Sequence, residues 1–279
     1  MSERTTLADK PLIGPVEAPQ LHVMTYNIRR RVAHVNPWSH DFWGRRAPLV
    51  RRLLASEQPT ILGVQEALPD QLPAILEGLG GHYSSVGRGR NADGGGEQCP
   101  IVYDADRLQL LEWDQDALSN TPDTPGSNDW GNLIPRIVVT ARFRDRDTRK
   151  ELTAVNTHLD HMSRKSRQLS AEAIRSLVAR TEGAVVVMGD FNTGAASQPY
   201  EALTNGDVLA DAWDAAQDRL TELWGTFPHY RAPKQGRKRI DWLMVNEGVT
   251  VVEMGINTTR YDGAWPSDHT PVQAIITIN

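Results

Sequence analysis

Eight polar side chains in this sequence stand at the ends of stretches that otherwise read as apolar strands. Asn27 follows LHVMTY, Glu66 follows TILGVQ, and His158 follows TAVNT. Asp190 closes VVVMG, with Asn192 two residues on. Asp241 opens DWLMV, and Asp268 and His269 immediately precede the last apolar run. Groups at strand ends are held more rigidly than groups on free loops, as a catalytic constellation requires. Each also has an ordinary reading. Asp190 in G-D-F-N could serve a turn, Asn27 could cap a loop, and Glu66 could complement the N-terminus of a following helix. Their joint occurrence favours chemistry. Carboxylates, amides and imidazoles without a cysteine cluster make a hard, oxygen-rich ligand set, suited to Mg²⁺ or Mn²⁺ rather than structural zinc. Mg²⁺ is commonly held by one or two carboxylates plus substrate phosphate oxygens, so the expected partner is a phosphate ester. A metal and a histidine can neutralise charge growing on its non-bridging oxygens.

The elements that must position these groups follow from hydrophobic periodicity. Strands are expected at 21–26, 60–65, around 100–103, and at 184–189, 240–245, 249–256 and 271–278. Residues 137–143 and 151–157 read as paired strands around the turn RDRDTRK. Helical spacing predicts helices over 45–57, 68–80, 164–180 and 211–220. Residues 87–97 hold five glycines and read as a loop, as does the turn-rich stretch 119–135. Strands and helices interleave without a strict βαβ rhythm, which indicates a layered α/β fold with mixed sheets.

The chain of 279 residues is 39% hydrophobic and 23% charged, ordinary for a globular protein and long enough for a sizeable core. Residues 1–19, with Pro11, Gly14, Pro15 and Pro19, read as an extended arm or tail ahead of a single domain over 20–279. No signal-like or membrane-spanning apolar run is seen, so a cytoplasmic location without membrane insertion is expected. The single cysteine, Cys99, excludes an internal disulfide framework. A net charge of −5 argues against sequence-blind attraction to duplex nucleic acid. Two stretches are nonetheless basic: Arg29–Arg31 with Arg45, Arg46, Arg51 and Arg52, and Arg231, Lys234, Arg237, Lys238 and Arg239. A solvated face and a substrate contact are both open for each. Trp38, Trp43, Trp130 and Trp265 fall near the motifs, where they could line a pocket or belong to the core. The oligomeric state is not legible.

Six blocks resemble a known family. T-Y-N-I (Asn27), V-Q-E (Glu66), N-T-H-L-D-H (His158), G-D-F-N (Asp190, Asn192), R-I-D-W (Asp241) and S-D-H-T-P-V (Asp268, His269) occur in the order found in the endonuclease/exonuclease/phosphatase superfamily. The resemblance implies a four-layered α/β sandwich, two facing mixed sheets with helices outside and the site at one edge. It implies Glu66 as the principal metal ligand, helped by Asn27 and Asp268. Asp190 would orient or deprotonate the attacking water, and Asn192 would hold that water or the phosphate. His269 would contact the phosphate and pair with Asp241, and His158 would stabilise or protonate the leaving oxygen. In deoxyribonuclease-like members a glutamate supports that histidine; Glu97 stands about where it should, with a solvent-facing loop acid as the alternative.

The pattern S-N-T-P-D-T-P-G-S (119–127) with Arg136 and N-T-H-L-D-H-M-S-R (156–164) resembles a poorly characterised bacterial subgroup. Arg136 would touch a phosphate or form a structural ion pair, and Asp160 and His161 would shape the pocket. One departure is clear: Arg29 stands where abasic-site endonucleases carry an aspartate, and could recruit a second anionic group of the substrate. The implied activity is divalent-metal-dependent hydrolysis of a phosphodiester or phosphomonoester in a small or medium-sized phosphorylated molecule such as a sugar, inositol or lipid headgroup. A nuclease acting on DNA or RNA and an inactive phosphate-binding module are the alternatives.

Overall fold

The structure is a computed structural model that describes residues 10–279; the first part of the expected N-terminal arm, residues 1–9, lies outside the described residues. Among the described residues thirteen strands form two sheets. The first contains β1 (Gln20–Asn27), β2 (Ile61–Gln65), β3 (Tyr83–Val86), β4 (Ile101–Asp104), β10 (Asp218–Arg219), β12 (Val249–Ile256) and β13 (Val272–Ile278), in the order β10-β12-β13-β1-β2-β4-β3. The second contains β5 (Leu108–Ala117), β6 (Ile137–Asp145), β7 (Glu151–His158), β8 (Ala184–Asp190), β9 (Ala210–Asp211) and β11 (Asp241–Val245), in the order β5-β6-β7-β8-β11-β9. Both are mixed: β1–β2 and β7–β8 are parallel, while β1–β13 and β8–β11 are antiparallel.

Period-two alternation explains the layering. Leu21 and Val23 of β1, Ala154 of β7, Val186 and Met188 of β8 and Leu243 of β11 meet in one core between the sheets. The opposite faces of the same strands bury elsewhere. Met24 and Tyr26 pack with Val50, Leu53 and Leu54 of α1 (Trp43–Glu57) and with Ile75 and Leu79 of α2 (Leu72–Leu79). Val155, Val185 and Val187 pack with Ile174 and Val178 of α3 (Arg164–Arg180) and Leu203 of α4 (Gln198–Thr204). Strands buried on both faces need apolar runs, which is why β2 and β8 read as continuous hydrophobic stretches. The result is the four-layered α/β sandwich, helices outside two facing sheets. Among the described residues no helix is long and apolar enough to cross a membrane.

The expected helix over 211–220 is a correction. Only α5 (Ala212–Ala215) is helical, capped by Asp211, whose carboxylate accepts from the Trp213 N–H at 2.9 Å. After it the chain leaves the helix to pair with β12: Gln217 N–H donates to Val251 O and Leu220 N–H to Met254 O. Tertiary pairing outweighs a weak local helical preference there.

Residues 10–19 lie against the domain. The backbone N–H groups of Leu12, Ile13 and Gly14 donate to the Glu57 carboxylate at 2.7–3.2 Å. Gly14 O accepts from His22 Nδ1 at 2.9 Å.

Candidate active site

Strand alternation that fills the core also builds the site. Asn27 has the same parity on β1 as Leu21 and Val23. His158 continues Ala154 on β7, Asp190 continues Val186 and Met188 on β8, and Asp241 shares the face of Leu243. All four therefore point between the sheets at one edge of the sandwich. Register aligns them further: His158 is paired with Asp190 and Asp190 with Asp241, so the three form one row across neighbouring strands.

A polar layer separates this row from the apolar core. Gln65 donates to Thr25 Oγ1 at 3.0 Å and to Asn156 Oδ1 at 2.7 Å, while Asn156 donates to Val64 O and Pro100 O. Gly63 makes this layer possible, since a Cβ there would stand 2.9 Å from Asn156 Oδ1. Loops then close on the edge. Buried Arg46 donates to Ile28, Arg29 and Arg30 carbonyls, shaping the turn after β1. Ser267 Oγ donates to Asn27 O at 2.7 Å, tying the segment of Asp268 and His269 to the same strand end. Glu66 and Asn192 both hold positive φ, 62° and 52°. Non-glycine residues adopt that conformation at a cost of about 1–2 kcal/mol, and such conformations gather at functional sites.

Asn27 Nδ2 donates to Asp190 Oδ2 at 2.9 Å and to Glu66 Oε1 at 3.1 Å. His269 Nδ1 lies 3.0 Å from Asp241 Oδ2, and its Nε2 lies 3.7 Å from Asp190 Oδ2. Burial works against charge on His269, but the Asp241 and Asp190 charges outweigh it and push its pKa up to about 10. It is an imidazolium at neutral pH, donating Nδ1–H to Asp241. Burial and the Asp241 charge raise Asp190 to about 7, against the opposing effects of His269, Asn27 and the Asn192 N–H. His158 is the reverse of His269. Burial, with Arg136 and Arg90, holds it well below its ordinary value, so it is neutral and its Nε2 accepts from Asn192 Nδ2 at 2.9 Å.

Asp190, Asp241 and His269 offer ligand atoms within 4.8 Å of one another, a grouping able to hold a cation. A second oxygen-rich group adjoins it. Burial tends to raise Glu66, but the Arg30 N–H, Asn27, His269 and Arg29 hold it below the usual carboxylate range. Asp268 is raised by burial and by Glu66 and Asp41, despite His269 and Arg29. The Arg29 guanidinium stands among all three acids, 3.2 Å from Asp41, 3.6 Å from Asp268 and 3.9 Å from Glu66. Glu66, ionised, and Asp268, only partly compensated by Arg29 and His269, offer the hard oxygen donors that a divalent cation takes.

The edge opens into a cleft of about 400 Å³ bounded by Glu66, Arg136, His158, Asp190, Asp268 and His269 among others. Arg136 is 2% exposed. Its Nε donates to Asp160 at 3.2 Å, its Nη2 meets His161 Nδ1 at 3.1 Å, and its Nη1 is buried without a partner. His161 lines the cleft, while Asp160 stands behind, accepting also from the Met162 and Ser163 N–H groups.

Glu97 is partnered differently from what the resemblance implies, and of the two readings left open for the tryptophans, cleft lining is not found among the described residues. Glu97 is in the cleft, but its carboxylate is taken by Arg90 at 2.9 Å and approached by Arg30 at 3.6 Å. Among the described residues no hydrogen bond joins it to His158, whose Nε2 partner is Asn192. None of the four tryptophans lines the cleft. Trp130 is buried and donates to Asn120, Trp43 packs at the α1 core, Trp265 donates to Thr258 O, and Trp38 is 81% exposed. Sequence reasoning missed Arg90 and Phe227. Arg90 lies in the glycine-rich loop and reaches the cleft because its N–H bonds Glu97 O across a hairpin. Phe227 packs on the His269 ring with centroids 4.7 Å apart. No local pattern marked either.

Taken together, the fold and site define a phosphoesterase-type centre: a four-layered sandwich with paired acids, an imidazolium and a cation-ready edge. Residues 24–269 match the Endonuclease/Exonuclease/phosphatase family, and the chain belongs to that family. Protein angel of Drosophila melanogaster is 30% identical over 222 residues, covering 71% of this chain and 60% of the fly protein, so the chain spans less than two thirds of that relative's length. A mannosyl-6-phosphatase of Bacteroides thetaiotaomicron VPI-5482 superposes with a TM-score of 0.85 at 30% identity, over 92% of this chain and all of the other. A family member from Bacteroides vulgatus superposes with a TM-score of 0.85 at 32% identity, over 93% of this chain and 99% of the other.

Proposed function

We propose that the protein hydrolyses phosphate monoesters of small molecules, of which sugar phosphates are the leading class, using Mg²⁺ or Mn²⁺. The observation that carries this reading is Arg136, which lines the cleft that also holds Asp190 and His269 and whose buried Nη1 has no protein partner. An unmet buried donor is costly, and a phosphate oxygen satisfies both its hydrogen bond and its charge. The likeness to a mannosyl-6-phosphatase supports the choice of a phosphorylated sugar.

Glu66 and Asp268, helped by Asn27, would hold the cation. His269 Nδ1 is committed to Asp241 and its ring is cationic, so it serves poorly as a ligand. The cation supplies Lewis-acid neutralisation of the phosphate. Asp190 takes a proton from the attacking water, a task suited to a base poised near neutrality. Asn192 positions that water. The His269 imidazolium and Arg136 donate to non-bridging oxygens, where negative charge grows. His158 would lie on the side of the leaving oxygen, which takes its proton from water as its bond to phosphorus breaks.

The test is turnover of a phosphate-ester panel containing sugar phosphates, inositol phosphates, headgroup diesters and single- and double-stranded nucleic acids, with Mg²⁺, Mn²⁺ or EDTA. Metal-dependent release of inorganic phosphate from sugar monoesters, abolished by EDTA, is expected. Preferential cleavage of nucleic acid would overturn the small-molecule reading. Metal-independent binding without turnover would overturn the enzymatic one.

A further inference from the structure

A second cavity of about 510 Å³ adjoins the cleft, and the two share Phe227 as a wall. It is lined by the apolar Phe227, Pro228 and Ile240 and by the cations Arg231, Lys234, Arg237 and Lys238. No carboxylate lines it. Among the described residues none of these four cations forms an ion pair, whereas Arg239, the next residue, is buried and paired with Asp211. Within one basic stretch, then, a single charge is neutralised and four are left around a hollow. In a chain with a net charge of −5, four unopposed cations at one cavity make a local field for an anion.

The placement is tied to the catalytic edge. Phe227 packs against the His269 ring at a tilt of 44°, and the Lys238 side chain runs over Gly194, in the loop that follows Asp190 and Asn192. Gly225 lets the segment fold back tightly, because a Cβ there would stand 2.5 Å from Arg237 Cβ. Backbone bonds from Gly225 N to Lys234 O and from Thr226 N to Lys238 O hold the two halves of the segment together.

We infer that this cavity binds a second phosphate group of the substrate, so that the preferred substrate is a small bisphosphorylated molecule. One phosphate reacts beside His269, the carbon skeleton passes Phe227, and the other phosphate sits among the four cations. This inference rests on the phosphatase reading above and specifies its substrate class.

The test uses calorimetric titration of the full chain carrying Asp190→Asn, with Mn²⁺ present, against glucose 6-phosphate and glucose 1,6-bisphosphate. The bisphosphate should bind at least about tenfold more tightly, from several exposed charge contacts acting together. That ratio should shrink between about 50 mM and about 500 mM NaCl, because exposed charges are screened. Replacing all four cations with glutamine should bring the ratio close to one. Lys238→Gln alone, the milder change, should lower it in the same direction. Equal affinities, or a ratio indifferent to salt and to both variants, would overturn the second-phosphate site. Turnover of the ester panel by the unaltered protein is read in parallel. Turnover with equal affinities removes this inference and leaves the phosphatase reading standing; absence of turnover of every ester, the bisphosphate included, removes both, whatever the ratio.

Discussion

Two aspartates end strands of the same sheet and are equally hidden, each 1% exposed, yet their environments push them in opposite directions. Asp145, at the end of β6, receives Arg107 Nε at 2.7 Å and Nη2 at 3.0 Å, Thr148 Oγ1 at 2.7 Å and the Asp147 N–H at 3.0 Å. Burial tends to raise it, but these partners hold it below the ordinary carboxylate range. Asp190, at the end of β8, has Asp241 as its register neighbour and is raised to about 7 by burial and that charge. Full neutralisation makes an acid structural. Partial neutralisation leaves one that can exchange a proton or await a cation.

The strongest way to break this comparison is Asp190→Asn. With the general base removed, phosphate release should fall by about 10²–10⁴-fold while folding is retained. Activity close to the original would show that Asp190 is no more catalytic than Asp145. The reciprocal change, Asp145→Asn, should cost about 2 kcal/mol of stability by breaking the buried pair with Arg107, which keeps only the exposed Asp147 at 3.2 Å. Measured by denaturant unfolding, that loss should come with near-normal turnover per folded molecule.

pH sharpens the contrast. Turnover should rise as pH passes about 7, where Asp190 loses its proton, and fall near about 10, where His269 loses its own. A rate independent of pH between 6 and 8 would remove Asp190 as the base. His22 offers a structural counterpart: burial lowers its pKa to about 4, against hydrogen bonds that favour the charged form. Because its folded pKa is below the unfolded 6.5, its contribution is present above pH 6.5 and is lost as pH falls toward 4. The loss is about 3 kcal/mol over that window. His22→Leu should flatten the acid limb of the stability curve without moving the rate profile.

The smallest expected effect concerns Arg29. Its guanidinium partly neutralises Asp41, Glu66 and Asp268, so Arg29→Gln should tighten Mn²⁺ binding by about tenfold in calorimetry. Weaker binding would mean instead that Arg29 mainly positions those acids.

Much of the site was legible because strand alternation is local. The parity that sends Leu21 and Val23 inward also carries Asn27 inward, and the same holds from Val186 to Asp190. The helix expected over 211–220 failed because pairing to β12 competes with it, and that partner is distant in sequence. Glu97, expected beside His158, lines the cleft with its carboxylate on Arg90, a residue no pattern distinguished.

From sequence alone, the residue types and their places at strand ends could be stated. Those depend on a two-residue period and on motifs a few residues long. Only the tertiary structure decided which acids meet a cation, which histidine is charged, that Arg136 keeps one donor free and that four cations gather around one cavity. Electrostatic effects depend on distance, burial and solvent access among residues far apart in the chain, and none of these is set before the two sheets face each other.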